Sequence, residues 1–258
     1  MPTSLALHPV RVAVLVSLLA WSSLSAPAIR ERAESGHHTG TLIAAFLTPS
    51  QILLCSDGRV VDSASGSIVS EQWTKVHRLT DGIGLLTAGR DLPGLAFTIA
   101  GDLSRRRSFG LREAVAATAR HLQRAWAALP AGPEGRPVGR AFAFLAGFDD
   151  EGRPRLFEFD SEHAPVLGAR EIPLFDTDQN LDIAAVVTGA GPKQNVSTLI
   201  VEHLDRVQRH APRTDRLKLL VKAFDGVKAE LAAANPRIGG ETFVASIAST
   251  PSQPAAHR

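Results

Sequence analysis

The residues most able to do chemistry lie in one stretch of the sequence, from position 40 to position 89. They are the hydroxyl of Thr41, the carboxylate of Asp57, the amine of Lys75 and the main chain of Gly89. A threonine hydroxyl attacks a carbonyl only after a base removes its proton. A lysine beside it can lower its pKa, and an aspartate within about 4–6 Å keeps that lysine charged. A glycine N–H can donate to the oxyanion that forms on the attacked carbonyl.

Each of these residues lies at the end of an expected strand. Apolar runs over residues 41–47 and 51–56 predict two strands joined by a tight turn, so Thr41 begins the first and Asp57 follows the second. Shorter runs at residues 67–70, 75–79 and 83–88 predict further antiparallel strands. Lys75 opens one of these strands, and Gly89 follows the last of them, before a helix.

The rest of the chain predicts two pairs of helices between further strands. Helices are expected at residues 92–107, 111–129, 196–207 and 217–231, and strands at 140–146, 155–159, 182–187 and 242–247. This order predicts an α+β fold, a four-layer αββα sandwich in which two antiparallel sheets lie between helical layers. We see no internal repeat and no second domain boundary.

The motifs around the candidate residues resemble the proteasome β-subunit and its bacterial ring-peptidase relatives, members of the N-terminal-nucleophile (Ntn) hydrolase superfamily. The motifs are Gly40-Thr41, Ser56-Asp57-Gly58-Arg59, a Lys-Val-x-Arg-Leu-like strand at Lys75, and Thr87-Ala88-Gly89. The resemblance covers residues 41–250, and the aspartate follows the threonine by sixteen positions, as in the family. Lys75 lies a residue or two further along the chain than usual.

The resemblance implies a threonine-type peptidase that cleaves itself after Gly40 and acts through Thr41. The freed α-amine of Thr41, with a reference pKa of about 7.7–8.0, would then be the base for its own hydroxyl. Asp57 would orient Lys75, and Gly89, expected at a helix N-terminus, would supply the oxyanion donor. The resemblance further implies a peptide or protein substrate, a homo-oligomer and no cofactor.

Two supporting positions depart from the family. Where the family has a serine in the Gly-rich turn before the third long helix, the only nearby hydroxyl belongs to Thr188. Where it has an aspartate and a serine before a Gly-Gly pair, this chain has Asn235 and Ile238. Asparagine can still form a hydrogen bond to the threonine hydroxyl, but it cannot carry a charge. Isoleucine can neither form that hydrogen bond nor carry a charge. Two alternatives therefore stay open: a catalytically silent scaffold or binding protein, and an exported small-amide hydrolase of the acylase type.

The composition excludes several classes of protein. A chain of 258 residues with 44% hydrophobic and 21% charged residues is typical of a globular protein rather than a disordered or fibrous one. The net charge is only +2 and no basic run interleaves with aromatics, so we expect no nucleic-acid partner. The single cysteine, Cys55, excludes an internal disulfide framework and is expected in the core. His37 and His38 lack a further ligand nearby, so we expect no metal site.

The first forty residues have a different character. Arg11, an apolar segment over residues 12–21 and Ala26-Pro27-Ala28 predict a secretory signal peptide, residues 1–28, removed after Ala28. A buried N-terminal helix is the alternative reading of the apolar segment. Residues 29–40 are expected to be a propeptide or linker, and residues 251–258 a disordered tail. We therefore expect an exported protein, periplasmic or secreted, without a membrane segment once the signal is removed.

Overall fold

The computed structural model describes ten segments of the chain. They are residues 37–38, 41–62, 65–89, 95–106, 109–128, 141–161, 168–172, 181–188, 196–210 and 215–249. The expected signal peptide, Gly40, the expected tail and most of the expected propeptide lie outside these segments.

The described residues form twelve strands and four helices. The strands are β1 (His37–His38), β2 (Thr41–Leu47), β3 (Gln51–Asp57), β4 (Val60–Asp62), β5 (Ile68–Ser70), β6 (Val76–Arg78), β7 (Ile83–Gly89), β8 (Ala141–Phe148), β9 (Pro154–Asp160), β10 (Arg170–Ile172), β11 (Asp182–Thr188) and β12 (Thr242–Ala248). The helices are α1 (Leu95–Ser104), α2 (Leu111–Ala127), α3 (Val196–His210) and α4 (Arg216–Ala234). None of these helices combines the length and apolar character needed to cross a membrane.

The strands pair into two main sheets and one small one. The first sheet has the order β11-β2-β3-β12, and the second has the order β10-β9-β8-β7-β6. A three-stranded sheet, β1-β4-β5, is separate from both. Neighbouring strands in all three sheets are antiparallel. The prediction of an α+β fold with antiparallel sheets is therefore confirmed.

The central strands β2 and β3 of the first sheet are buried on both faces, which explains the unbroken apolar run of β2. Leu42 and Phe46 pack on one face against α3 and α4, in a cluster that includes Phe224. Ile43 and Leu47 alternate to the other face, where they pack against residues of β7, β8 and β9. A strand with two covered faces needs no polar side chain, so its sequence does not alternate.

The outer face of the second sheet is covered by the other two helices. Leu85 of β7 and Leu145 of β8 lie in a buried cluster with Ile99 of α1 and Leu122 of α2. Each main sheet therefore has one face toward a pair of helices and one toward the other sheet. This packing is compatible with a sandwich.

Helix α4 is well defined at both ends. The carboxylate of Asp215 accepts from the backbone N–H groups of Leu217 (3.0 Å) and Lys218 (3.3 Å), which satisfies two of the free donors of the first turn. The helix ends at Asn235, which has an extended backbone with φ −138° and ψ 101°. The chain therefore leaves the helix at one of the supporting positions singled out in the sequence.

Most predicted elements coincide with observed ones, and the differences are short strands and helix ends. Helix α1, Leu95–Ser104, ends before the predicted residue 107, and residues 92–94 of the predicted helix lie outside the described segments. The strands β1, β4 and β10 were not predicted, because two or three residues carry no measurable periodicity.

Candidate active site

The hairpin of β2 and β3 brings Thr41 and Asp57 to the same end of the first sheet. The strands are antiparallel, with Ile43 opposite Ser56, so the first residue of β2 lies beside the last residue of β3. Thr188, the last residue of β11, is the partner of Thr41 on the other side. The register therefore brings three of the predicted site residues together. Gly40, the expected cleavage residue, lies outside the described residues.

The Asp57 carboxylate is completely buried and is held by three N–H donors. Oδ1 accepts from the Leu42 amide at 3.1 Å and from Lys75 Nζ at 2.8 Å, and Oδ2 accepts from the Gly239 amide at 3.0 Å. Burial raises the pKa of Asp57, while the charge and hydrogen bonds of its neighbours act in the opposite direction. Every one of these contacts donates to the carboxylate, which is the pattern that favours its ionised form.

Lys75 connects the second sheet to this carboxylate. Its side chain is 2% exposed, and its Nζ donates to Asp57 and, at 2.8 Å, to the main-chain oxygen of Arg59. The Lys75 carbonyl accepts from the Thr87 amide at 3.0 Å, so the residue lies beside β7. A buried ion pair of this kind is poor evidence for stability, because desolvation offsets the attraction. The burial of the Asp57–Lys75 pair is better evidence that the charge and position of Lys75 serve a function.

Thr41 is completely buried, and its Oγ1 has no hydrogen-bond partner among the described residues. Its place in β2 puts its side chain on the face of Ile43, toward the second sheet. The Asp57 carboxylate is one peptide away, because it accepts from the amide of Leu42. Leaving a buried hydroxyl unpaired costs about 1–3 kcal/mol, so such a group calls for an explanation such as strain or chemistry.

Gly89 is the last residue of β7, and its φ of +83° lies in the left-handed region that glycine adopts without strain. The pairing of β7 with β8 continues to Gly89, which lies opposite Ala141. Residues 90–94, where the expected helix would start, lie outside the described segments, and the described part of helix α1 begins at Leu95. Any oxyanion donor at Gly89 is therefore a main-chain group at the end of a strand.

The turn after α4 supplies a main-chain donor to Asp57 that the sequence did not reveal. Gly239 donates its N–H to Asp57, and its carbonyl accepts from the amides of Gly58 at 3.1 Å and Arg59 at 2.9 Å. Ile238, at the position where the resembling family has serine, is buried in the core with α3 and α4. The contact with Asp57 is made by the backbone, so it does not require the family's side chains in this turn.

Asn235 is buried at the start of the same turn, with 4% of its surface exposed. Its Oδ1 accepts from the Arg237 amide at 3.0 Å, whereas its Nδ2 has no partner among the described residues. The side chain thus closes the turn with one end and presents an unsatisfied donor with the other. Together with the hydroxyls of Thr41 and Ser56, it gives this region three buried polar groups without partners among the described residues.

Arg59 ties the turn to the end of β3. Its Nη1 donates to the carbonyl oxygens of Pro236 at 2.7 Å and Ile238 at 3.0 Å. The guanidinium lies so close to Gly239 that an added Cβ there would be 2.6 Å from the Arg59 Cζ. Arg59 therefore holds in place the residue that donates to Asp57.

Helix α4 holds the turn from the other side. Lys228 Nζ donates to the carbonyl of Gly240 at 2.9 Å and to the Thr242 hydroxyl, and it pairs with Asp225 at 3.3 Å. Thr242 is the register partner of Asp57 in β12. Sequence reasoning missed Lys228, since a lysine on a helix gives no sign of which main-chain oxygen it meets.

Cys55 takes no part in the described site. Burial raises the pKa of the Cys55 thiol far above its ordinary value, so the reactive thiolate is suppressed. The side chain lies in the core against α3 and α4, as expected. Within the described segments, no cluster of three or more His, Cys, Asp or Glu side chains could hold a metal ion.

Replacing Gly239 with alanine tests how tightly the turn is held. We expect Gly239→Ala to lower the free energy of unfolding by about 2–4 kcal/mol, because φ is +147° and the new Cβ would overlap the Arg59 guanidinium. Gly66→Ala is the matched control, since Gly66 also has a positive φ, +71°, but nothing lies within 4 Å of an added Cβ. Denaturant unfolding should show a loss of only about 1 kcal/mol for the control. Equal losses in the two variants would contradict the close packing.

No protein-family model and no curated protein sequence matches the chain. A functional conclusion therefore rests on what the geometry can do. The described residues combine a buried, unpaired threonine hydroxyl, a buried lysine–aspartate ion pair that contacts the amide of the next residue, and a glycine of positive φ at a strand end.

Proposed function

We propose that the protein is a threonine-type peptidase of the proteasome-like family, which cleaves itself between Gly40 and Thr41 and then hydrolyses peptide bonds. The observation that carries the proposal is the buried Asp57–Lys75 ion pair, 2.8 Å between Oδ1 and Nζ, one peptide from the buried and unpaired hydroxyl of Thr41. The combination of a buried ion pair and an unsatisfied hydroxyl one peptide away supports a functional site more strongly than either feature alone.

The fold that accompanies this proposal is the four-layer αββα sandwich of Ntn hydrolases. Three buried clusters support it, in the order helices α3 and α4 on the first sheet, first sheet on second sheet, and second sheet on α1 and α2. In that arrangement Thr41 and Lys75 belong to different sheets, and their meeting point lies where the two sheets face each other at one end.

In the mature enzyme, the α-amine of Thr41 is the general base. It removes the hydroxyl proton as Oγ1 attacks the substrate carbonyl, and it returns the proton to the leaving amine. The main-chain N–H of Gly89 donates to the oxyanion, a contribution of about 2.7–4 kcal/mol for one donor. Water then hydrolyses the acyl ester by the same base, which restores the free hydroxyl.

Lys75 and Asp57 supply charge rather than a proton in this mechanism. The Lys75 ammonium stabilises the negative charge that develops on Oγ1, and it is kept charged by the carboxylate that it touches. The Asp57 carboxylate is in turn kept ionised by the main-chain donors of Leu42 and Gly239. Because both charges are buried, their effect on the hydroxyl is screened little by solvent.

Maturation uses the same hydroxyl before the amine exists. Attack of Oγ1 on the Gly40 carbonyl breaks the Gly40–Thr41 amide, forms an ester and releases the α-amine of Thr41. Water hydrolyses that ester and gives a new carboxyl terminus at Gly40.

A catalytically silent scaffold is the second candidate, favoured by one observation. Ile238 occupies the position of a polar family residue and is 1% exposed in the core, so that part of the supporting set is lost. An exported small-amide hydrolase on the same fold would use the same Thr41 chemistry on a different substrate. For the main proposal we infer a peptide or protein substrate, assembly into a homo-oligomer and an exported location.

The test is the N-terminus of the purified full-length chain, followed over time beside its activity. We expect a new N-terminus at Thr41, and hydrolysis of fluorogenic peptide amides that rises in proportion to it. An N-terminus that stays at Ile29, with no hydrolysis of any peptide amide, would favour the scaffold. Processing at Thr41 with hydrolysis of small amides alone would favour the acylase type.

A further inference from the structure

We propose that Glu71 is a positioning residue for the Asp57–Lys75 pair and acts through Arg59. The inference rests on the proposed function, because the pair matters only if it serves the Thr41 hydroxyl. Glu71 lies outside every motif of the sequence and touches neither Asp57 nor Lys75 in any described hydrogen bond.

Arg59 contacts Lys75 through its main chain and, through its side chain, the turn that contacts Asp57. Its carbonyl accepts from Lys75 Nζ at 2.8 Å. Its side chain donates to the carbonyls of Pro236 and Ile238, which fixes the turn whose next residue, Gly239, donates to Asp57. A shift of Arg59 would therefore loosen a contact of the lysine and a contact of the aspartate together.

Glu71 fixes the direction of the Arg59 guanidinium. Nε donates to both carboxylate oxygens, at 3.1 and 3.0 Å, and Nη2 lies 2.9 Å from Oε1. A planar guanidinium paired in this two-pronged way has little freedom to rotate. The remaining donor, Nη1, is then directed at the turn.

The main chain of Glu71 is itself held against the turn. Its carbonyl accepts from the Glu241 amide at 2.8 Å, and an added Cβ at Gly240 would lie 2.4 Å from the same oxygen. Glu71 thus anchors Arg59 from a fixed position four residues before Lys75. The Arg59–Glu71 pair is 20% and 42% exposed, and exposed ion pairs contribute little to global stability. We therefore expect its loss to affect the site far more than the fold.

Amide hydrogen exchange tests this positioning independently of catalysis. In the full-length chain carrying Thr41→Ala, which removes the hydroxyl, we expect Glu71→Gln to speed exchange of the Gly239 amide about tenfold, as for loss of one charge-assisted hydrogen bond. The amide of Phe46, in the middle of β2, should not change. Glu241→Gln is the matched control, because that carboxylate accepts from Gln72 instead of Arg59. Unchanged exchange at Gly239 in Glu71→Gln would overturn the proposal.

Activity gives the second readout. In the otherwise unaltered chain, we expect Glu71→Gln to lower kcat about tenfold with KM within about twofold, and Glu71→Asp, which keeps the charge, to recover part of the loss. If the wild-type chain never acquires an N-terminus at Thr41, the proposed function is refuted. The exchange result then decides the role of Glu71 by itself. Normal kcat in Glu71→Gln, beside a working wild-type enzyme, would refute the positioning role alone.

Discussion

Replacing Thr41 with alanine is expected to give a folded chain whose Gly40–Thr41 bond stays intact and that hydrolyses no peptide. The attacking oxygen is gone, so neither the ester of maturation nor the acyl-enzyme can form. The cost in stability should be only about 0.5–1.5 kcal/mol, because Oγ1 has no hydrogen-bond partner among the described residues. Intact-mass measurement and N-terminal sequencing after long incubation provide the check.

Two further variants make this result specific. Thr118→Ala, in α2, removes another completely buried threonine hydroxyl without a described partner, and should leave processing unchanged. Thr41→Ser keeps both the hydroxyl and the potential α-amine, so it should retain some processing. A Thr41→Ala chain that still acquires an N-terminus at residue 41 would show that another protease cuts there, and the self-cleavage proposal would fail.

Replacing Lys75 is expected to have the second large effect, on both activity and stability. Lys75→Met should lower processing and turnover about 10²–10³-fold, because the positive charge proposed to stabilise the attacking oxygen is lost. It should also lower the free energy of unfolding by about 3–5 kcal/mol, since the completely buried Asp57 would be left without its cation. Denaturant unfolding and a processing time course measure the two losses separately.

A double variant separates the structural cost from the chemical one. Asp57→Asn combined with Lys75→Met removes both charges, so most of the lost stability should return while processing stays absent. Lys75→Arg should also fail to process, because a guanidinium is larger and differs in its hydrogen-bonding geometry. A Lys75→Met chain with wild-type turnover would make the ion pair merely structural.

Local patterns in the chain account for the two strands that carry Thr41 and Asp57. Their apolar runs are unbroken because both faces of these two central strands are covered, and the turn at Thr48-Pro49-Ser50 is short enough to limit the register. An antiparallel pair with a short connection brings the start of one strand beside the end of the next. The closeness of Thr41 and Asp57 along the sheet is therefore a local consequence of sequence.

The contacts that complete the site come from long-range packing. Gly239, which donates to Asp57, is 182 positions away in the sequence, and it acts through its main chain. Lys75, which precedes β6 of the second sheet, reaches Asp57 from 18 positions away. Glu71 lies beside Arg59 because β4 pairs with β5, with Val60 opposite Ser70, which brings the two flanking residues together. Any residue type except proline can supply a main-chain N–H, so no sequence motif indicates which residue will donate to Asp57.

The extent of β7 depends in the same way on a partner far along the chain. A glycine after an apolar run can precede a helix or end a strand, because its residue type indicates only that a positive φ is allowed. The pairing with β8, whose Ala141 lies about fifty positions later in the chain, continues the strand to Gly89. Residue types near the site thus indicate the chemistry, while the burial and the hydrogen bonds that would make it work arise from segments that meet only in the folded chain.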